Sequence, residues 1–416
     1  VYEKDGTISL PNVGVSIDDK PRWSFRALKI DTSRHFLPVP ILKAALDGME
    51  AAKMNVFLWH AVDGNSFPLE SATYPDLTHK GAYDAASVYT LADVADVVAY
   101  AQARGVRVVP ELDIPGHQGV GYARPELVAC PLLEGFGGNA RALDVTKNAT
   151  YEFLRQWLGE MVEAFGDPQV NVYGDEVQAS CWEASPTVQA FMKAHGIADY
   201  AALATYFWAR FVKEVLPSLR KKGVDSLIVG EARQLGTDGP PLAPLPADTL
   251  VEVWGPDSLE QSANGTLRGV LQAGFKAYLG GTFYLDQKVP HTCASGWPYC
   301  APHLGGYHED DWENMLAVEP LGDPELTAAQ KANLVGVCAE MWGEQIGPSN
   351  ALTRIFPRVL AAAEVGWSGP RSERGLATRA DESTLARFQA LACTLNRRGV
   401  PTAHIRPGHC RFSMVR

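Results

Sequence analysis

The chain of 416 residues is long enough for two or three average domains, or for one large α/β barrel. Hydrophobic residues make up 46% and charged residues 20%, which supplies a core and excludes general disorder. Lys and Arg number 37 against 48 Asp and Glu, a net charge of -11 that argues against nucleic acid or an anionic membrane as partner; no apolar run approaches the roughly 18 residues of a membrane span.

Residues 1–25 read as a lead-in segment. The first strand is predicted at Ala27–Thr32, followed by a helical pattern over Pro40–Ala52. A strand at Val56–Val62 precedes the helix Thr90–Arg104, and a strand at Val106–Asp113 precedes the helix Thr150–Phe165. Next come a strand at Val170–Asp175, a helix over Tyr206–Lys222 and a strand at Ser226–Glu231. Leu250–Trp254, the helix Ser258–Ala273 and the strand Lys276–Leu279 follow. Residues 286–326 are irregular with one short helix, before the last strand Val335–Trp342 and the helix Leu352–Val365. Residues 370–416 are expected to form a C-terminal extension packed on the rest.

Near-continuous apolar strands spaced by helices imply a parallel sheet covered on both faces. Eight in succession favour a single closed (β/α)8 TIM barrel over residues 26–369. The first strand is not followed by Gly-x-Gly-x-x-Gly, which removes the usual dinucleotide reading.

None of the seven cysteines forms Cys-x-x-Cys, so zinc or thioredoxin chemistry is disfavoured. Cys293 and Cys300 flank the short loop Ala294–Tyr299 and are expected to close it as a disulfide. Cys393 and Cys410 straddle the C-terminal segment, where a bridge would pin the tail. Cys338 lies in the apolar run Leu334–Met341 and is expected as a buried thiol. Two sequons, Asn148-Ala-Thr and Asn264-Gly-Thr, favour a secretory route. Seven reduced core cysteines in a cytosolic enzyme stay open as the alternative at this point.

Catalytic groups of such a barrel sit at the C-terminal ends of strands. Those ends carry Asp31, Arg34 and His35; Trp59, His60 and Asp63; Glu111, Asp113 and His117; and Gly174, Asp175 and Glu176. Glu231, Trp254, Tyr284, Asp286, Trp342 and Glu344 complete the rim. Aromatic faces pack on the C–H face of a sugar ring, and carboxylates with Arg bind its hydroxyls, so the mixture suits a glycan. Metal-assisted hydrolysis is the rival, with His60, Asp63, His117 and Asp175 as ligands, but neither His-x-His nor His-Glu-x-x-His occurs. Asp175 and Glu176 are adjacent, and neighbouring strand residues face opposite ways. Both reach one substrate only if the strand breaks, as Gly174 permits. Ordinary retaining glycosidases place two carboxylates on opposite sides of the bond, so one acid beside a carboxylate with a different task fits better.

These motifs resemble the catalytic domain of family 20 glycoside hydrolases, the β-N-acetylhexosaminidases, of the eukaryotic lysosomal and secreted type. The resemblance rests on Lys29-Ile-Asp-Thr-Ser-Arg-His35, Asn55-Val-Phe-Leu-Trp-His60 with Asp63, the run Arg104 to His117, Gly174-Asp-Glu-Val177 with Cys181-Trp182, Phe283-Tyr-Leu-Asp286 and Glu340-Met-Trp-Gly-Glu344. It implies Glu176 as general acid, with a pKa expected to be raised. It implies Asp175 and Tyr284 on the substrate's 2-acetamido group, whose carbonyl oxygen is the nucleophile. It also implies Trp254 and Trp342 as pocket walls, Arg34, Glu344 and Asp286 on sugar hydroxyls, and Asp63 with His117 as a pair tuning Glu176. Neither cofactor nor metal is implied. The expected partner is a glycan ending in N-acetylhexosamine, and a homodimer is compatible with the family. Its disulfides match Cys130 with Cys181 and Cys393 with Cys410, leaving Cys338 unpaired and pointing to a secreted or lysosomal protein. The family barrel usually follows a small α/β domain, of which residues 1–25 would be the remnant.

Three departures stand out. Asn171-Val-Tyr-Gly-Asp-Glu replaces the family's His-x-Gly-Gly-Asp-Glu. Val229-Gly230-Glu231 lacks the Trp expected ahead of the Glu, so one aromatic wall is missing or comes from elsewhere. Gly64 replaces an acidic residue. A weak sugar-binding homologue, or a member releasing a disaccharide, remains the alternative.

Overall fold

The computed structural model describes residues 2–4, 7–9, 14–130, 141–231, 241–254, 266–286, 312–369, 371, 381–405, 407–408 and 410. A short antiparallel hairpin, β1 (Tyr2–Lys4) and β2 (Thr7–Ser9), precedes the main body. Eight parallel strands then close into a barrel: β3 (Phe25–Asp31), β4 (Val56–Val62), β5 (Arg107–Leu112), β6 (Gln169–Tyr173), β7 (Ser226–Glu231), β8 (Leu250–Val253), β9 (Lys276–Leu279) and β10 (Leu334–Met341). Closure comes from β10 pairing with β3, from Gly336 opposite Phe25 to Met341 opposite Ile30. The (β/α)8 barrel read from the sequence is therefore present.

The strand pleat sorts residues into two cores. Phe25, Ala27, Leu58, Val109, Ile228, Leu250, Tyr278 and Cys338 form an apolar plug inside the barrel. Their neighbours Leu28, Ile30, Phe57, Val108, Val229, Val251, Leu279 and Val337 face the helices instead, as period-two alternation requires. Those helices are amphipathic for matching reasons. Leu91–Gln102 starts on a Thr90/Asp93 capping box and buries Val94, Val97 and Ala101. Asn148–Phe165 stops where Gly166 takes a left-handed φ of 66°.

Two predicted helices are split. The Tyr206–Lys222 pattern becomes Tyr200–Arg210, a π turn at Phe211–Val215 and Leu216–Lys221. Pro217 has no N–H for the preceding turn, so the ladder widens there. The Leu352–Val365 pattern becomes Ala351–Ile355 and Val359–Ser368, broken at Pro357 for the same reason. Within the C-terminal extension a helix at Glu382–Arg397 is capped by Asp381 and packs on the helix Val39–Ala51. Of the region read as irregular, the described part holds the helix Trp312–Leu316.

The disulfides Cys130–Cys181 and Cys393–Cys410 are both formed, and Cys338 is a buried free thiol. Cys293, Cys300 and the sequon at Asn264 lie outside the described residues. Asn148 is exposed at the start of its helix.

Candidate active site

Above the apolar plug the next inward-facing positions are charged. Lys29 Nζ lies 2.8 Å from Glu252, 3.1 Å from Glu111 and 3.6 Å from Glu340, with all four side chains fully buried. Burial alone would lower the Lys29 ammonium, but the three carboxylates outweigh it and hold it well above its usual value. Gly280 makes the room: a Cβ there would stand 2.0 Å from a Glu340 oxygen.

The candidate site begins directly above this ionic floor. At the end of β6 the chain leaves the strand through three left-handed residues, Tyr173 (φ 43°), Gly174 (φ 93°) and Glu176 (φ 42°). Gly174 N–H donates to Asp113 at 3.2 Å, and a Cβ at Gly174 would stand 2.5 Å from the Trp208 ring. This is the break that the adjacent carboxylates required. It leaves Asp175 buried and Glu176 with a side chain 45% exposed at the mouth. His117, itself at φ 54°, turns Nε2 toward both, 3.8 Å from Asp175 and 3.6 Å from Glu176.

Behind His117 runs a line of buried partners. Its Nδ1 sits 3.1 Å from Asp63. Asp63 also takes Arg34 Nη1 at 2.8 Å and His60 Nε2 at 3.0 Å, and His60 Nδ1 reaches Glu111 at 2.8 Å. Arg34 is held from its own strand end by Asp31 at 3.2 Å, lies 4.0 Å from Glu344 and sits 5.2 Å from the centre of the Trp342 ring. Trp342 anchors its indole N–H on Glu340 at 3.0 Å. Trp254 follows β8, Tyr284 bridges to Glu340 beside β10, and Asp286 is half-buried two residues further on. One rim thus gathers Arg34, Asp63, His117, Asp175, Glu176, Trp254, Tyr284, Asp286, Trp342 and Glu344.

A match to the glycosyl hydrolase family 20 catalytic domain spans residues 23–370. The chain belongs to glycosyl hydrolase family 20. It is 34% identical over 398 residues to rat β-hexosaminidase subunit alpha, covering 95% of this chain and 68% of that protein. It is 34% identical over 402 residues to human β-hexosaminidase subunit beta, covering 95% of this chain and 65% of that one. Among solved structures it resembles the Vibrio harveyi exo-β-N-acetylglucosaminidase in complex with N-acetylglucosamine, with a TM-score of 0.74, 25% identity and 93% of this chain covered. It resembles the Flavobacterium johnsoniae chitobiase with a TM-score of 0.72, 27% identity and 91% of this chain covered. The chain spans 60% and 52% of those two bacterial chains.

Among the described residues, two sets of side chains bring possible metal-ligand atoms within 4.8 Å of one another, His60/Asp63/Asp113 and Asp113/His117/Asp175. The first already holds a cation, because Arg34 Nη1 lies 3.1 Å from His60 Nε2 as well as 2.8 Å from Asp63.

The electrostatics correct one expectation. Glu176 is not raised. Its contact with the His117 imidazolium, outweighing burial, lowers it from its ordinary value. Asp175 is the group pushed well up, by burial first and the Asp113 charge second. Asp113 is raised to about 6, chiefly by burial. Burial would lower His60, but hydrogen bonds to Asp63 and Glu111 push it up to about 10. Loss of solvent, then the Glu344 charge, raises Asp286 to about 8.

The three departures now have structural accounts. Asn171 donates to Glu111 at 2.6 Å and accepts the Tyr173 N–H at 2.9 Å, joining the ionic floor. Gly64 N–H donates to Asp63, and its carbonyl accepts from Arg141 at 3.2 Å. Opposite Val229 in the β6–β7 register stands Tyr173, whose buried ring lies over Gly230. Lys29, Glu252, Glu340 and Tyr173 were not singled out from the sequence as site residues. A lone polar residue inside each apolar strand was the available signal.

Proposed function

We infer that this chain is an exo-acting β-N-acetylhexosaminidase. It releases terminal non-reducing N-acetylglucosamine, and N-acetylgalactosamine, from glycans or chitooligosaccharides by substrate-assisted, retaining hydrolysis. One observation carries the reading. Asp175 Oδ1 is buried without a hydrogen-bond partner among the described residues, one residue from the half-exposed Glu176. A buried oxygen left unpaired is costly unless something arrives to use it. An amide N–H on the sugar is a fitting donor, while Glu176 reaches the scissile oxygen.

In this reading Asp175 accepts the acetamido N–H and Tyr284 donates to its carbonyl oxygen. That oxygen attacks the anomeric carbon as Glu176 gives its proton to the departing glycosidic oxygen. The cyclised intermediate is then opened by water, from which Glu176 takes a proton, so configuration is retained. Arg34 and Glu344 hold ring hydroxyls, and Trp254 and Trp342 flank the acetamide. Before substrate binds, burial favours a proton on Asp175 and the imidazolium favours the Glu176 carboxylate. The arriving N–H favours the Asp175 carboxylate, and the sugar strips water from Glu176. Both changes drive the proton from Asp175 to Glu176, past His117 Nε2, which lies within 3.8 Å of each.

The names of the rat and human relatives support the substrate class. Export to a secreted or lysosomal location is part of the proposal, supported by the two disulfides. Assembly as a homodimer is a further part, checked by sedimentation velocity. The deciding experiment compares 4-nitrophenyl N-acetyl-β-glucosaminide with the plain β-glucoside. Only the first should turn over, and Glu176→Gln should lower kcat roughly 10²–10⁴-fold on glycosides with poor leaving groups and less on the 4-nitrophenyl substrate. Equal rates on both sugars, or a covalent sugar ester on Asp175 or Glu176, would refute the mechanism.

A further inference from the structure

Tyr173 takes no part in the proton and hydroxyl chemistry above, yet its ring packs against both indoles of the site. Its backbone φ of 43° is left-handed, a conformation that non-glycine residues adopt at a cost. The side chain is fully buried. Its ring centre lies 6.5 Å from that of Trp254, at 27°, and 6.2 Å from that of Trp342, at 57°. From below, Lys29 Nζ sits 3.9 Å from the ring centre, and the hydroxyl reaches Glu252 at 3.3 Å. On the β7 side the ring occupies the space over Gly230, where a Cβ would stand 2.8 to 3.0 Å from three ring atoms. Tyr173 can lie there only because position 230 is glycine.

The ring is therefore a wedge under two indoles, fixed on its other sides by a cation, a carboxylate and a strand backbone. It enters from β6, at the place where β7 offers Val229 and Gly230 and no aromatic side chain. We propose that Tyr173 is a positioning residue that sets the spacing of Trp254 and Trp342 and closes the bottom of the pocket between them, restricting the 2-acylamino group of the substrate to acetyl. The inference rests on the reading that this group enters between the two indoles. Close-packed walls lack slack for another methylene unless a ring moves, and each methylene that must be accommodated costs at least about tenfold in kcat/KM.

The test uses the full chain and 4-nitrophenyl 2-acylamino-2-deoxy-β-glucosides carrying acetyl, propanoyl or butanoyl groups. The readout is the acetyl-to-butanoyl ratio of kcat/KM, which is independent of how much enzyme in a preparation is folded. The native ratio should be roughly 100 or more. Tyr173→Phe keeps the ring and should keep the ratio. Tyr173→Gly accepts the left-handed backbone, opens the floor and should lower the ratio about tenfold or more, with KM for the acetyl substrate rising more than kcat falls. A flat native series, or an unchanged ratio in Tyr173→Gly, would overturn the proposal. Should Tyr173→Gly give no active enzyme, Gly230→Ala decides from the other side: the new methyl pushes the ring upward and should raise the ratio, and an unmoved ratio overturns the proposal. A native protein inert on the acetyl substrate would instead refute the functional reading itself.

Discussion

His117 faces Glu176 with Nε2 3.6 Å from the carboxylate, while its Nδ1 stays 3.1 Å from Asp63. An imidazolium held by one carboxylate thus lowers another, the one proposed above as the acid. Removing that positive charge should raise Glu176. His117→Asn keeps a donor for Asp63 and is expected to move the alkaline limb of the kcat/KM profile upward by about one pH unit, within the usual reach of a neighbouring charge. A limb that stays in place would detach His117 from the acid.

The family resemblance puts Asp286 on the outer hydroxyls of the bound sugar, where it would meet a 6-sulfate. With its carboxyl at about 8, it is largely uncharged in acid and becomes an anion as pH rises through that value. A full like charge ~4 Å from a 6-sulfate would repel it by about 4 kcal/mol at an effective dielectric of 20. Discrimination against the 6-sulfated sugar should therefore be weak near pH 5 and grow at least about tenfold by pH 9. Comparing neutral and 6-sulfated 4-methylumbelliferyl substrates across that range, in the native enzyme and in Asp286→Asn, measures it. The variant's ratio should not change with pH.

His60 links stability to alkaline pH. Its folded value of about 10 lies above the ordinary histidine value near 6.5. The stabilisation is fully present below about pH 6.5 and is lost as pH rises to about 10, amounting to at most about 5 kcal/mol. Urea midpoints should fall across that window, and His60→Gln should flatten the slope while being less stable at pH 6. A native midpoint that is level from pH 7 to 10 contradicts this.

Peptide mapping without reductant should recover Cys130 linked to Cys181 and Cys393 linked to Cys410. Cys293 with Cys300 is expected as a third bridge. Cys338 should react with an alkylating agent only after unfolding, being buried. Cys130→Ala with Cys181→Ala should cost a few kcal/mol of stability.

The barrel was legible because its signal is local. Eight apolar runs of strand length, six of them followed by a helical period, leave little choice but a parallel sheet closed on itself. The polar rim was legible for the same reason, since the end of each strand can be read from where its apolar run stops. The break at Gly174 announced itself through two adjacent carboxylates. Which side chains meet inside the barrel was a different matter. Lys29 and Glu252 are 223 residues apart and gave no local sign of a shared layer. In the sequence Tyr173 is only part of the departing Asn171-Val-Tyr-Gly-Asp-Glu motif; its left-handed backbone and the bare Gly230 show where the ring goes. The upward shift expected at Glu176 falls on Asp175 instead for the same reason. A carboxyl's proton affinity depends on burial and on charges close in space, and the chain fold alone places His117 against one carboxyl and Asp113 against the other.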